Sequence, residues 1–358
     1  MKQVIWNKTV YVMKYLCMLI IVLLFSSCAK DDAIEYSPTP INLEIPSNFP
    51  PLVYAIENNP LTEEGFQLGK SLFYEGKLSS NNSIPCAFCH EQAFAFTHHG
   101  HNVSHGVDGG IGIRNSQPIQ NLVFQSEFTW DGAATHLDLQ PIIPITSEVE
   151  MNESLSNVVE KLKADAYYRS AFALAFEEGE INGENLLKAL SQFMVMMVST
   201  NSKYDRMIRQ EGNETFSVLE NDGLVTFQQK CTSCHATDLF TDQSYRNNGL
   251  SVNPQVDDKG RYNVFQNPDD LYKFKVPSLR NVEHSFPYMH DGRFETLEAV
   301  INFYDNGLTD NGNVDPLLVA ENGDLGIPLT DYEKQSLVAF LKTLTDNEFL
   351  QNERFSDF

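Results

Sequence analysis

Two short clusters of cysteine and histidine carry the strongest chemistry in the chain: Cys86-Ala87-Phe88-Cys89-His90 and Cys231-Thr232-Ser233-Cys234-His235. Two thiols three residues apart, followed at once by an imidazole, form the attachment pattern of c-type haem. The thiols add to the two porphyrin vinyl groups, and the imidazole becomes the proximal ligand of the iron. Rival readings fit worse. A dithiol redox centre needs no histidine and sits beside a strand–helix–strand pattern that this sequence lacks. A zinc site keeps its cysteine pairs roughly 15–20 residues apart, whereas the whole stretch from Cys89 to Cys231 separates these. A disulfide between cysteines three apart is strained.

The chain has 358 residues, enough for about two domains, and six cysteines. Cys17 and Cys28 lie outside the haem motifs. The apolar stretch Tyr15 to Phe25 follows Lys8 and Lys14 and ends in Ser26-Ser27-Cys28. A basic region, a brief apolar region and small residues before the cut describe a signal peptide over residues 1–27, too short for a comfortable membrane span. The last residues resemble a lipoprotein box, which makes Cys28 the lipidated N-terminus. Residues 28–60 are rich in proline and are expected to be an extended tether. Export to the cell envelope, with a lipid anchor in the outer membrane and a periplasmic or surface-exposed body, is the expectation.

Losing Lys2, Lys8 and Lys14, the only charges of the first 27 residues, takes the formal charge from −23 to −26. Such a surface repels nucleic acid and suits a basic soluble partner.

Each haem motif needs an element to present it. Leu61 to Leu78 and Phe216 to Lys230 carry apolar residues at mostly helical spacing just before the two motifs. Leu155 to Phe176 and Leu186 to Ile208 read as amphipathic helices. Thr330 with Glu333 makes a capping box ahead of Leu337, Phe340, Leu341 and Leu344. Strand alternation is scarce. The fold expected is mainly α: two cytochrome c-like haem domains, residues 61–212 and 213–350, with long irregular loops around the cofactors.

From about Leu68 to Leu344 the chain resembles the bacterial dihaem cytochrome c peroxidases, including their MauG-type branch. The stretches that carry the resemblance are Leu68-Gly69-Lys70-Ser71-Leu72-Phe73-Tyr74, Trp130-Asp131-Gly132, Glu150-Met151, Val276-Pro277-Ser278-Leu279-Arg280-Asn281-Val282 and Pro287-Tyr288-Met289-His290-Asp291-Gly292-Arg293-Phe294, in family order. The resemblance implies a peroxidatic N-terminal haem and an electron-accepting C-terminal haem. It places the inter-haem tryptophan on Trp130, a peroxide-orienting amide on Gln140 and the general acid–base on Glu150, with Glu148 as the nearest alternative. Glu150 would carry a proton from the near to the far oxygen of peroxide.

Some members close the peroxidatic iron with a removable histidine. Of His98, His99, His101 and His105, His105 or His101 could do so; the alternative is loop histidines. Ala133 stands where the family usually has Arg, and His98 where Asp is common. The sixth ligand of the second haem falls on Tyr304, as in the MauG-type branch; the peroxidase branch has Met there. Met289 and Met207 are the other candidates. Phenolate favours ferric iron and lowers the potential relative to Met. The resemblance also implies a calcium ion held by the Asn115 side chain and the carbonyls of Ser285 and Pro287.

The function expected is reduction of hydrogen peroxide with electrons from a small cytochrome c or another redox donor. Tyr304 favours a variant in which the same peroxide chemistry oxidises another substrate. A non-catalytic dihaem electron carrier is the rival from another class.

Overall fold

The computed structural model describes residues 36–357. The expected signal peptide and Cys28 lie outside them. Among the described residues no helix is long and apolar enough to cross a membrane. The chain is helical with long irregular connections. Its strands β1 (Tyr245–Arg246) and β2 (Phe274–Lys275) are short and antiparallel, with Tyr245 opposite Lys275.

In the first half, α1 (Glu63–Phe73) starts at Thr62, whose side chain accepts from Gly65 N. It buries Phe66, Leu68, Leu72 and Phe73 and packs along α6 (Gly183–Met196). Between them lie α2 (Cys86–Cys89), α3 (Ile142–Thr146), α4 (Leu155–Ala164) and α5 (Ala166–Ala175). The second half holds α7 (Lys203–Ile208), α8 (Val218–Lys230), α9 (Tyr262–Phe265), α10 (Leu297–Asn306), α11 (Asp331–Lys342) and α12 (Asn347–Gln351). Helix α11 carries the expected Thr330–Glu333 capping box and packs on α8, which leads into Cys231.

Two helices expected to be continuous are broken. Asp165 ends α4 with extended backbone and caps α5 by accepting from Tyr167 N. Ser202 and Asp205 form a capping box that restarts the chain as α7 after α6 ends at Met196. In both places a short polar side chain competes for backbone donors and outweighs the apolar periodicity.

Two apolar cores form. The first gathers Phe66, Phe73, Phe96, Phe124, Phe172 and Phe193. The second centres on Phe227, Phe240 and Phe340. Phe349, Leu350 and Phe355, near the C-terminus, return to the first core. Phe49 and Tyr54 join it too, and Ile41 N donates to Leu61 O. From Pro40 onward the stretch expected as a tether is therefore docked on the body, because its aromatic and aliphatic residues gain more from burial than from extension. The Arg280 guanidinium pairs with both oxygens of Asp205 at 2.8 and 2.7 Å, with neither side chain exposed, and lies over Phe49 at 4.5 Å.

A repeat of 160 residues relates the halves around their centres. Asn121 and Asn281 both have left-handed backbone, φ 56° and 55°. Phe128 N donates to Ala134 O, and Tyr288 N to Phe294 O, both at 2.7 Å. Inside these loops Trp130-Asp131-Gly132 matches His290-Asp291-Gly292. Gly132 has φ 76° and Gly292 φ 65°, and a Cβ on Gly292 would sit 2.1 Å from Asn102 O. Side chains are excluded there by conformation and by space. The halves also cross-bond in register: Asn115 N donates to His290 O and Lys275 N to Trp130 O, each at 2.7 Å.

Candidate functional site

A cavity of about 460 Å³ is lined by Cys86, Cys89, His90, Trp130, Gln140 and Glu150. That volume lies in the range of cofactor sites. Helix α2 presents both thiols on one turn, and the chain leaves it at His90. The His90 Nδ1 donates to Phe96 O at 2.7 Å. A carbonyl can only accept, so this nitrogen carries the proton and Nε2 keeps its lone pair. Burial pushes the imidazole down to about 4, which holds it neutral. Burial also raises Cys86 and Cys89 to about 12. A neutral, oriented imidazole beside two adjacent thiols on a large cavity is what a c-type haem requires.

The second motif repeats the device. His235 Nδ1 donates to Phe240 O at 3.0 Å, and burial lowers this imidazole as well. The Cys231 thiol is raised to about 12 by burial. Tyr304, on α10, is close enough for the charges of Cys234 and Cys231 to act on it. Burial is the largest cause raising its phenol, and Asn248 hydrogen-bonds it. Asn248 Nδ2 also donates to Met289 Sδ at 3.6 Å. Tyr304 and Met289, two of the sequence candidates, thus share one amide beside the second motif. Met207 lies on α7.

On the first side, Gln140 follows a short turn over Leu137–Leu139. Glu150 closes another turn, its N–H donating to Ser147 O and its carbonyl accepting from Val107 N. Its charge reaches the Cys89 thiol. Glu148 is exposed, whereas Glu150 is half-buried and lines the cavity. The two carboxylates that spacing left open are separated by this turn. Trp130 is buried and its indole N–H donates to Asn115 O at 2.8 Å. Asp131 holds Arg114, which also grips Asp258 at 2.6 Å.

The histidine loop gathers on itself. The rings of His101 and His105 lie 4.2 Å apart, and those of His98 and His101 4.4 Å apart. His98 is buried with its Nδ1 unpartnered, and burial and the neighbouring imidazoles push it down to about 4. His105 also lines the cavity. His99 instead stacks on Phe94 at 3.7 Å. Ala133 is exposed at the cavity rim.

Sequence reasoning missed Pro144. In the 160-residue register it is the counterpart of Tyr304, and it lines the first cavity. The shared x-Asp-Gly triplets were the available signal. Asn115 is buried, with Nδ2 donating to Asn102 O at 3.1 Å and its N–H to His290 O. These bonds pin it against the segment that carries Ser285 and Pro287.

Two thiol pairs with oriented imidazoles, a buried tryptophan between the halves, and a cavity with a carboxylate and an amide define a dihaem c-type redox protein. The model of the di-haem cytochrome c peroxidase family matches residues 63–213. The methylamine utilization protein MauG of Methylorubrum extorquens is 36% identical over 294 residues, covering 80% of this chain and 79% of that protein. The cytochrome c551 peroxidase of Pseudomonas aeruginosa is 28% identical over 330 residues, covering 89% of this chain and 88% of that one. A crystal structure of a MauG-like protein associated with microbial copper homeostasis superposes with a TM-score of 0.80 at 33% identity, over 88% of this chain and 99% of that one. The chain belongs to the di-haem cytochrome c peroxidase family.

Proposed function

We propose that the protein reduces hydrogen peroxide to two waters with two electrons and two protons, the electrons coming from a small cytochrome c or a comparable donor. The observation that carries this reading is that Gln140 and Glu150 line the same cavity as Cys86, Cys89 and His90. Haem supplies an iron that binds peroxide and exchanges electrons with it. His90, its ring fixed by the bond from Nδ1 to Phe96 O, would offer Nε2 to that iron. Gln140 orients peroxide by hydrogen bonding. Glu150 would take a proton from one peroxide oxygen and return it to the other, which would leave as water as the O–O bond breaks, the two electrons for that cleavage coming from the donor. His235 and Tyr304 would hold the second iron, the entry point for donor electrons, and Trp130 would serve between the halves as a stepping place.

The test mixes the holoprotein with peroxide and a reduced small cytochrome. Glu150→Gln lowers turnover by about 10²-fold or more, the usual worth of a general acid–base group. Undiminished turnover removes Glu150 from the role. A wild-type protein without turnover and with both haems low-spin is an electron carrier.

A second reading keeps the peroxide chemistry but oxidises another substrate. Tyr304 at the second motif, where phenolate would lower the potential, favours it. We further propose calcium on Asn115 Oδ1 and the Ser285 and Pro287 carbonyls, a hard cation on few protein oxygens completed by water. Cys28 as a lipid anchor in the outer membrane, with the body in the periplasm or at the surface, completes the proposal.

A further inference from the structure

Lys275 is 5% exposed and lies on the wall of the first cavity, beside Gln125 and Trp130. Its Nζ donates to Gln125 Oε1 at 2.7 Å and to Glu127 O, and lies 5.8 Å from the Phe128 ring. Among the described residues no carboxylate stands within ion-pair distance of it. A buried charge held by neutral oxygens is costly unless its geometry serves something.

The 160-residue register says what that is. It carries Lys275 onto Asn115, Gln125 onto Ser285 and Glu127 onto Pro287. The crosswise bonds Asn115 N to His290 O and Lys275 N to Trp130 O obey the same register. The partners of Lys275 Nζ are thus the counterparts of the residues proposed to hold calcium. One correspondence is atom for atom, the carbonyls of Glu127 and Pro287; the other sets a side-chain oxygen of Gln125 against the backbone of Ser285. An ammonium is a compact point charge with three donors, and oxygens that suit a hard cation suit it too.

We propose that the Lys275 ammonium is a built-in cation, fixing the 125–128 segment and Trp130 as an exchangeable cation fixes 285–290 in the other half. The comparison rests on the calcium reading; the clamp on Trp130 does not. Trp130 is then held by a covalently tethered charge that chelators cannot remove. Lys275 is a positioning residue, acting through the backbone that carries the indole.

Hydrogen exchange on the holoprotein tests this. Chelating calcium should raise exchange at 285–292 by tenfold or more and leave 125–132 within twofold. Lys275→Met should raise exchange at 125–132 by tenfold or more, with or without calcium. Lys275→Asn should do the same, with millimolar calcium restoring protection; it carries the comparison if the Met variant does not take up haem. Unchanged exchange at 125–132 in the variants overturns the clamp. So does chelation that loosens 125–132 in the wild type as much as 285–292. If chelation loosens neither segment while Lys275→Met loosens 125–132, the calcium reading fails and the ammonium clamp stands.

Discussion

The two halves share a backbone frame around their centres and differ in the side chains set on it. Both orient a neutral histidine by a bond from Nδ1 to a carbonyl five or six residues on, Phe96 or Phe240. Both fold the same loop around an Asp-Gly pair. Where the first loop carries Trp130 the second carries His290, which stacks on Phe274 at 3.7 Å. Where the second half offers Tyr304 the first offers Pro144, whose side chain has no donor atom for a metal. On the proposed function, one backbone would make a closed and an open iron site, with the Tyr304 and Pro144 position as the difference between them. Under that proposal, peroxide chemistry would depend on a side chain withheld as much as on those supplied.

The largest effect expected comes from erasing that difference. Pro144→Tyr gives the first cavity a phenol in the place of Tyr304; peroxide turnover should fall by about 10²-fold or more, as for loss of the acid–base group, and the first haem should gain low-spin character. A variant with native turnover and spectrum would show that the register does not carry ligand geometry. Next is the Arg280–Asp205 pair, buried beneath the second half. Asp205→Asn leaves the guanidinium charge unbalanced and should cost about 3–5 kcal/mol, read by denaturant unfolding. Tyr304→Phe should raise the potential of the second haem and its high-spin fraction while leaving the first haem's spectrum alone, as checked by redox titration. The smallest effect is at the α11 cap. Lys230 and the backbone of Thr330 hold the Glu333 carboxyl down to about 2. The folded value lies below the unfolded one, so this stabilisation is complete above about pH 4.5 and is lost as pH falls towards 2. Glu333→Gln should flatten that acid limb, and Thr330→Ala should cost about 1 kcal/mol at neutral pH, both followed by thermal unfolding.

The sequence carried the attachment sites plainly, because covalent chemistry confines them to five consecutive residues. The cap at Thr330 was equally local. Glu150 was separable from Glu148 only by the turn at Ser147, a tertiary matter of which carboxylate meets the cavity. The helix breaks at Asp165 and Ser202 were hidden because apolar periodicity runs through them. The docking of residues 40–59 was hidden because proline content masks Phe49 and Tyr54 as core residues. The 160-residue repeat escaped notice since few identities survive, Asn121 with Asn281 and the Asp-Gly pairs among them. What persists is backbone conformation, which sequence records only faintly.

The most direct test of the two-site account is electron paramagnetic resonance of the oxidised holoprotein, with peroxide then added. The account predicts two haems per chain, one high-spin at His90 that reacts with peroxide and one six-coordinate at His235 whose signal changes in Tyr304→Phe. Two identical six-coordinate signals, indifferent to peroxide and to that substitution, would contradict it.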